Sequence, residues 1–164
     1  MGFNTTQMKI IEDNLQGDEI RQLLKEHHED MLTHSPEESV HALDIDGLSQ
    51  PNVTFWTIWS DGKLAGCGAL KQLDDTHSEI KSMRTSKTFL RQGVAAKMLT
   101  HILEVARQRG YQRVSLETGT PDAFKPARKL YQNFGFTDCP PFGQYQEDPY
   151  SQFFTLQLEQ MAEA

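Results

Sequence analysis

Arg91-Gln92-Gly93-Val94-Ala95-Ala96 opens a long amphipathic stretch, after a strand-like run and a polar turn. A helix that starts here leaves its first backbone N–H groups without carbonyl partners. The helix dipole adds partial positive charge at the same end. Gly93 lets the backbone approach a bulky anion, and the small Ala95 and Ala96 keep Cβ atoms from blocking it. Together these residues predict a pyrophosphate cradle. The spacing is not that of a P-loop, since no Gly-Lys-Ser/Thr follows, nor that of the three-glycine dinucleotide fingerprint. On this segment alone an ordinary helix start stands beside the anion site, and the flanking residues decide between them.

Other side chains offer less. His27 and His28 are adjacent, so on a helix they face different directions, and His34 and His77 stand at no ligand spacing. Solvated surface histidines are the expectation, with no metal. No Ser-His-Asp arrangement emerges. Cys67 and Cys139 lack CxxC spacing and read as two idle thiols in a reducing cytoplasm.

The elements that must position the cradle follow from periodicity. Gln7 to Glu12 reads as a strand, and Asp18 caps a helix running to about Thr33 through Ile20, Leu23, Leu24, His27 and Met31. Ser35-Pro36-Glu37-Glu38 carries a capping box and opens another short helix. Val53 to Ser60 and Lys63 to Lys71 flank Asp61-Gly62, which suits a two-residue type I′ turn. His77 to Thr85 predicts a further strand. Val94, Ala95, Met98, Leu99, Ile102, Leu103 and Ala106 form the apolar face of the helix after Gly93, which Gly110 stops. Tyr111 to Thr118 is a strand, Phe124 to Phe134 a helix, and Thr137 to Gln144 and Ser151 to Leu158 two late strands. The pattern is α/β: one domain over residues 1–164, built on a mixed sheet flanked by helices.

Composition narrows the function classes. The 164 residues are 37% hydrophobic and 24% charged, as in globular proteins. A net charge of −7 with no basic stripe argues against nucleic acid. No apolar run approaches the ~20 residues that span a bilayer, and the N-terminus lacks a signal-peptide layout, so a cytoplasmic protein is expected.

Ala127-Arg128-Lys129-Leu130-Tyr131-Gln132-Asn133-Phe134-Gly135-Phe136 resembles the A-x-x-L-Y-x-x-x-G-F segment of the GNAT superfamily of acyl-CoA N-acyltransferases. Arg91-Gln92-Gly93-Val94-Ala95, about 40 residues earlier, resembles that family's Q/R-x-x-G-x-G/A loop. The likeness covers roughly Val53 to Leu158. It departs at Leu90, where the family carries Gln or Arg, and at Phe124, where an asparagine is usual. The resemblance implies a GNAT-like fold whose two parallel strands, near Ser82 to Thr85 and Ser115 to Thr118, splay after a bulge. Acetyl-CoA then serves as cosubstrate. Its pantetheine arm pairs with backbone at Met83, Arg84 and Thr85, and its pyrophosphate sits on Arg91, Gln92, Gly93, Val94, Ala95 and Ala96.

The same resemblance assigns Tyr131 as the acid that protonates the departing thiolate, unless its ring merely packs beside Phe134 and Phe136. Glu79, alternating with Lys81 and Met83, is the candidate proton acceptor, unless it is only paired with Lys81 or Lys71. Glu117 is a second candidate base. Arg84 could clamp an acceptor carboxylate or form a salt bridge with Glu79 or Glu117. His41 and Asp44 could line the acceptor pocket or belong to a capped helix end. The expected reaction is acetyl transfer from acetyl-CoA to a small-molecule amine by direct attack. A non-catalytic acyl-CoA sensor and a protein lysine or N-terminal acetyltransferase are the alternatives. A homodimer built through the late strands, with Phe153, Phe154 and Leu156 in contact, also fits the resemblance.

Overall fold

The computed structural model describes residues 8–40 and 44–158. Seven strands form one mixed sheet in the order β1-β2-β3-β4-β5-β7-β6, with β1 Met8–Glu12, β2 Val53–Ser60, β3 Lys63–Gln72, β4 His77–Thr85, β5 Arg113–Gly119, β6 Thr137–Asp138 and β7 Ser151–Gln157. Every neighbouring pair is antiparallel except β4 and β5. That parallel pair needs a crossover, which α3 (Val94–Gln108) supplies. Among the described residues the other α-helices are α1 (Asp18–His34), α2 (Ile45–Leu48) and α4 (Lys125–Asn133).

The β2–β3 hairpin turns at Asp61 (φ 50°) and Gly62 (φ 77°), the two left-handed residues that a type I′ turn demands. Helix α3 buries Val94, Met98, Leu99, Ile102, Leu103 and Ala106 against one sheet face, where Ile80, Val114, Leu116 and Phe154 meet it. Each such aliphatic side chain contributes roughly 1.5–3 kcal/mol when fully buried. Tyr131 and Phe136, at and beyond α4, join the same core. A second cluster lies around Ile20 and Leu23 of α1, Leu48 of α2, and Phe55, Cys67 and Ala69 of the hairpin.

Some expectations change. Asp18 is the first residue of α1 rather than its cap; Gly17 holds that position and no side chain caps the helix. Ser35 does not cap a second helix either: it ends α1, donating its N–H to the Met31 carbonyl, and Glu37–Ser39 forms only a 3-10 turn. The short α2 was not anticipated. The penultimate strand stops at Asp138, because Pro140 and Pro141 have no N–H to offer a ladder. Residues 139–150 instead cross the sheet face opposite α3. Of the residues expected to serve self-association, Phe153 and Phe154 are 4% and 0% exposed and pack inside the chain, while Leu156 is half-buried.

Candidate active site

Strands β4 and β5 pair from His77↔Arg113 only as far as Ile80↔Leu116. Beyond that point β4 is paired on its outer side alone, to β3, and β5 on its outer side alone, to β7. The inner edges frame a cavity lined by Lys81, Ser82 and Met83 on one side and Glu117, Thr118 and Gly119 on the other. The divergence has a local cause. Lys81 pairs with Ala69 and Arg84 with Cys67, so β4 carries one extra residue, and Ser82 takes φ 55° to accommodate it. The buried Ser82 hydroxyl has no hydrogen-bond partner among the described residues. The bulge also ends the alternation expected for Glu79, Lys81 and Met83. Met83 turns toward α3, where a Cβ on Gly68 would lie 2.8 Å from its sulfur.

The anion cradle begins at Arg91 (φ 64°) and Gly93 (φ 78°), two left-handed residues that swing the chain into α3. A Cβ on Gly93 would meet nothing within 4 Å, so glycine is favoured there by its dihedral, and the space above it is open. Ala95 and Ala96 lie in the first turn, where N–H groups precede the first helical bond, Lys97 N–H to the Gly93 carbonyl. Val94 is 2% exposed and packs into the core. Gln92 donates to the Thr88 carbonyl at 3.4 Å and so braces the turn. Leu90 is 55% exposed, and Arg91 is exposed.

Tyr131, 6% exposed, packs its ring edge-on against Phe136 at 5.7 Å and lines the cavity. Burial alone pushes its hydroxyl well above the ordinary tyrosine range, so it stays protonated at any working pH. Glu79, 3% exposed, lines the same cavity from β4. Its Oε2 accepts from the Tyr145 hydroxyl at 2.5 Å and from Lys81 Nζ at 3.5 Å. Glu117 also lines the cavity, accepting from Ser151 Oγ at 2.7 Å.

Two acceptor candidates fall elsewhere. The Arg84 guanidinium is ion-paired with Asp30 of α1, not with Glu79 or Glu117, and is not among the residues lining the cavity. Asp44 caps α2, accepting from the Gly47 N–H at 2.8 Å. His41 lies outside the described residues. Nor are all the histidines surface groups. His27 lines the cavity from α1, where burial and then the Arg84 charge lower it to about 4 and keep it neutral. His77 is 7% exposed; Arg113 donates to its Nδ1, so Nε2 carries the proton and donates to Ser115 Oγ at 2.7 Å. Among the described residues, no three His, Cys, Asp or Glu side chains gather as metal ligands.

Sequence reasoning gave Tyr145 no role of its own beyond a place in the late hairpin, Gly143 to Tyr150, expected to build the acceptor pocket with the N-terminal helices; the structure puts it on the cavity wall. Sequence reasoning also treated Phe124 only as a lost asparagine. In the structure that ring covers Gly119, where a Cβ would lie 2.4 Å from it, and meets His34 edge-on at 6.2 Å, walling one side of the cavity. Arg128 Nη1 donates to the carbonyls of Gly119, Thr120 and Pro121, pinning the turn that carries this wall.

Residues 18–136 match the acetyltransferase (GNAT) family. The chain belongs to that family. It is 54% identical over 151 residues to the uncharacterised N-acetyltransferase YsnE of Bacillus subtilis, covering 92% of this chain and all of that protein. To the uncharacterised N-acetyltransferase YedL of Escherichia coli it is 50% identical, covering 89% of this chain and 92% of the relative. A candidate acyl-CoA N-acyltransferase of Klebsiella pneumoniae superposes with a TM-score of 0.79 at 27% identity, over 93% of this chain and 98% of that one. A GNAT acetyltransferase of Elizabethkingia anophelis, solved with acetyl-CoA bound, shares the fold with a TM-score of 0.68 at 18% identity, over 93% and 99% of the two chains. The mixed sheet with its single parallel, diverging pair is thus the GNAT fold. Among the described residues no helix is long and apolar enough to cross a membrane.

Proposed function

We propose that this GNAT protein is a cytoplasmic, acetyl-CoA-dependent N-acetyltransferase, one domain over residues 1–164, that acetylates the amine of a small molecule. One observation carries the reading: the gap between β4 and β5 brings a protonated hydroxyl, Tyr131, and a buried carboxylate, Glu79, to one cavity. The unpaired inner edge at Met83, Arg84 and Thr85 suits an extended amide chain. The first turn of α3, from Arg91 through Ala96, suits a pyrophosphate.

Acetyl-CoA supplies the thioester carbonyl. Glu79 takes one proton from the acceptor ammonium, and the free amine attacks that carbonyl directly. As the C–S bond breaks, Tyr131 gives its proton to the thiolate. The second proton shed by the new amide nitrogen replaces it. The net change is ammonium plus thioester to amide, thiol and one proton, with no covalent acyl-enzyme. Glu117 is the second carboxylate within reach of this path.

The test is thiol release from acetyl-CoA with amino acids, polyamines and aminoglycosides, followed by single-turnover chemistry on the best acceptor. Tyr131→Phe keeps the ring, so acetyl-CoA affinity should hold while the chemical step slows by roughly 10- to 1000-fold. A wild-type single-turnover rate in that variant would leave Tyr131 a packing residue. Tight CoA binding with no thiol released by any amine would favour a sensor over an enzyme.

A further inference from the structure

Glu79, Lys81 and Tyr145 line two cavities at once. One is the cleft between the parallel strands; the other is a wider hollow bounded by Glu38, Lys71, Gln72, Gln144, Glu147 and Asp148. At the junction the hydrogen bonds have a fixed direction. Lys81 Nζ donates to the Tyr145 hydroxyl at 2.7 Å, and that hydroxyl donates to Glu79 Oε2 at 2.5 Å. Lys81 also stands 3.5 Å from the same carboxylate oxygen and 5.4 Å from the centre of the Tyr145 ring. Both donors converge on Oε2, so Oε1 is the oxygen they leave for other work.

The loop that delivers Tyr145 is held from behind. Phe142 meets Tyr145 at 5.2 Å and Phe153 at 5.8 Å, Tyr145 meets Phe153 at 5.5 Å, and His77 lies against Phe142. Asp148 is tied to the 3-10 turn after α1 through Ser39 Oγ at 2.6 Å. These contacts use the rings, and a phenylalanine at 145 would make the same ring contacts. The hydroxyl adds the bond to Glu79 and the one from Lys81.

We propose that Tyr145 and Lys81 are positioning residues for Glu79: they hold its Oε2 and aim the carboxylate at the cavity junction, and so set the pH at which the acceptor ammonium yields its proton. This rests on Glu79 as the proton acceptor. Other charged or titratable groups face the same place: Lys71 across the β3 register, Glu117 on β5, His27 on α1, and Glu38, Glu147 and Asp148 around the wider hollow. The hydrogen bonds to the carboxylate come from the Tyr145 hydroxyl and Lys81. Burial raises the Tyr145 phenol, and the neighbouring Glu79 charge raises it further, so it remains a donor throughout the working range.

The experiment is a carbon-13 NMR titration of side-chain-labelled glutamate in the full chain, with Glu79 assigned by its absence in Glu79→Gln. The pH dependence of kcat/KM is measured alongside, with the best amine of the panel above. Tyr145→Phe removes one donor, so the Glu79 titration and the acidic limb should both move to higher pH by about one unit. Lys81→Met should move both at least as far, and Lys81→Arg should return them to near wild type. Melting temperature and CoA affinity check that each variant is folded. An acidic limb that changes in Glu79→Gln but stays in place in both Tyr145→Phe and Lys81→Met overturns this proposal alone. A limb unmoved by Glu79→Gln overturns the reading of Glu79 as base, and the proposal with it.

Discussion

Gly66 and Gly68 of β3 lie beside the bulge that opens the cleft, and adding one methyl group to each separates packing from backbone position. A Cβ on Gly66 would lie 2.7 Å from the Arg84 carbonyl oxygen, 3.0 Å from Val94 Cγ1 and 3.4 Å from Ile58 Cγ2. A Cβ on Gly68 would lie 2.8 Å from Met83 Sδ, 3.0 Å from Ile102 Cδ1 and 3.0 Å from Met98 Cγ. The Gly68 contacts are parts of flexible side chains that can rotate away. The Arg84 carbonyl belongs to β4 itself, so relief at Gly66 requires that strand to move. Overpacking costs about 1–3 kcal/mol, and alanine recovers roughly 0.5–1 kcal/mol over glycine inside a strand. Gly66→Ala should therefore lose about 2 kcal/mol, or roughly 4–8 °C in melting temperature for a chain of this length. Gly68→Ala should stay within about 1 kcal/mol of wild type. Because residues 83–85 move with the Arg84 carbonyl, Gly66→Ala should also weaken CoA binding by about threefold or more, roughly 0.6 kcal/mol, and Gly68→Ala should not. Thermal unfolding and calorimetric titration with CoA read both effects. Equal losses in the two variants, or a destabilised Gly66→Ala that binds CoA normally, would refute the argument that this carbonyl positions the cleft edge.

Gly93→Val introduces a β-branched residue at φ 78° in open space, so it should cost roughly 1–3 kcal/mol of backbone strain and weaken CoA binding measurably; unchanged affinity in a folded variant would move the pyrophosphate elsewhere. His27 is held near 4, below its ordinary 6.5, by burial and Arg84. The native state therefore resists protonation, and stability present above pH 6.5 is lost as pH falls toward 4. Between pH 7.5 and 5.5 this site should cost about 1 kcal/mol after allowing for its partial exposure, read by urea unfolding. A His27→Gln protein with the same pH dependence would contradict it. Burial pushes the Cys67 thiol up to about 12, so a thiol reagent at pH 8 should leave Cys67 unmodified in the native protein and modify it after unfolding. Native-state labelling of Cys67 at the unfolded rate would count against that burial.

What could be read from the chain follows the range of the forces involved. The β2–β3 hairpin, β4 and α3 were legible because alternation, an Asp-Gly turn and a helical apolar face are local signals. Gly93 was legible for the same reason: the need for a left-handed residue before a helix is written in one position. Ser82 was not, since serine carries no preference for φ 55° and is held there by the Ala69 and Cys67 registers on the next strand. Missing that residue misplaced Met83, whose side chain crosses to the opposite sheet face. Arg84 was misassigned because its partner, Asp30, lies 54 residues earlier on a helix whose facing no local pattern reveals.

Tyr145 is the sharper case. Its neighbours in sequence, Gly143, Gln144, Gln146 and Glu147, look like exposed loop, and the segment makes no strand. Two prolines end β6 early and send residues 139–150 across the sheet instead of along its edge. The surface they cover is a polar stripe made by the regular alternation of His77, Glu79 and Lys81 on β4 and Arg113, Ser115 and Glu117 on β5. A sheet face with that composition would ordinarily be left in water, because a buried carboxylate and ammonium are costly unless each is paired. Here the covering loop brings aromatic rings to exclude solvent and one hydroxyl to bond the carboxylate's Oε2. The stripe and the loop therefore require each other. A buried carboxylate so enclosed, at the margin of a gap that opens from Ser82 onward, is where a fold of this kind can hold a proton acceptor away from bulk water.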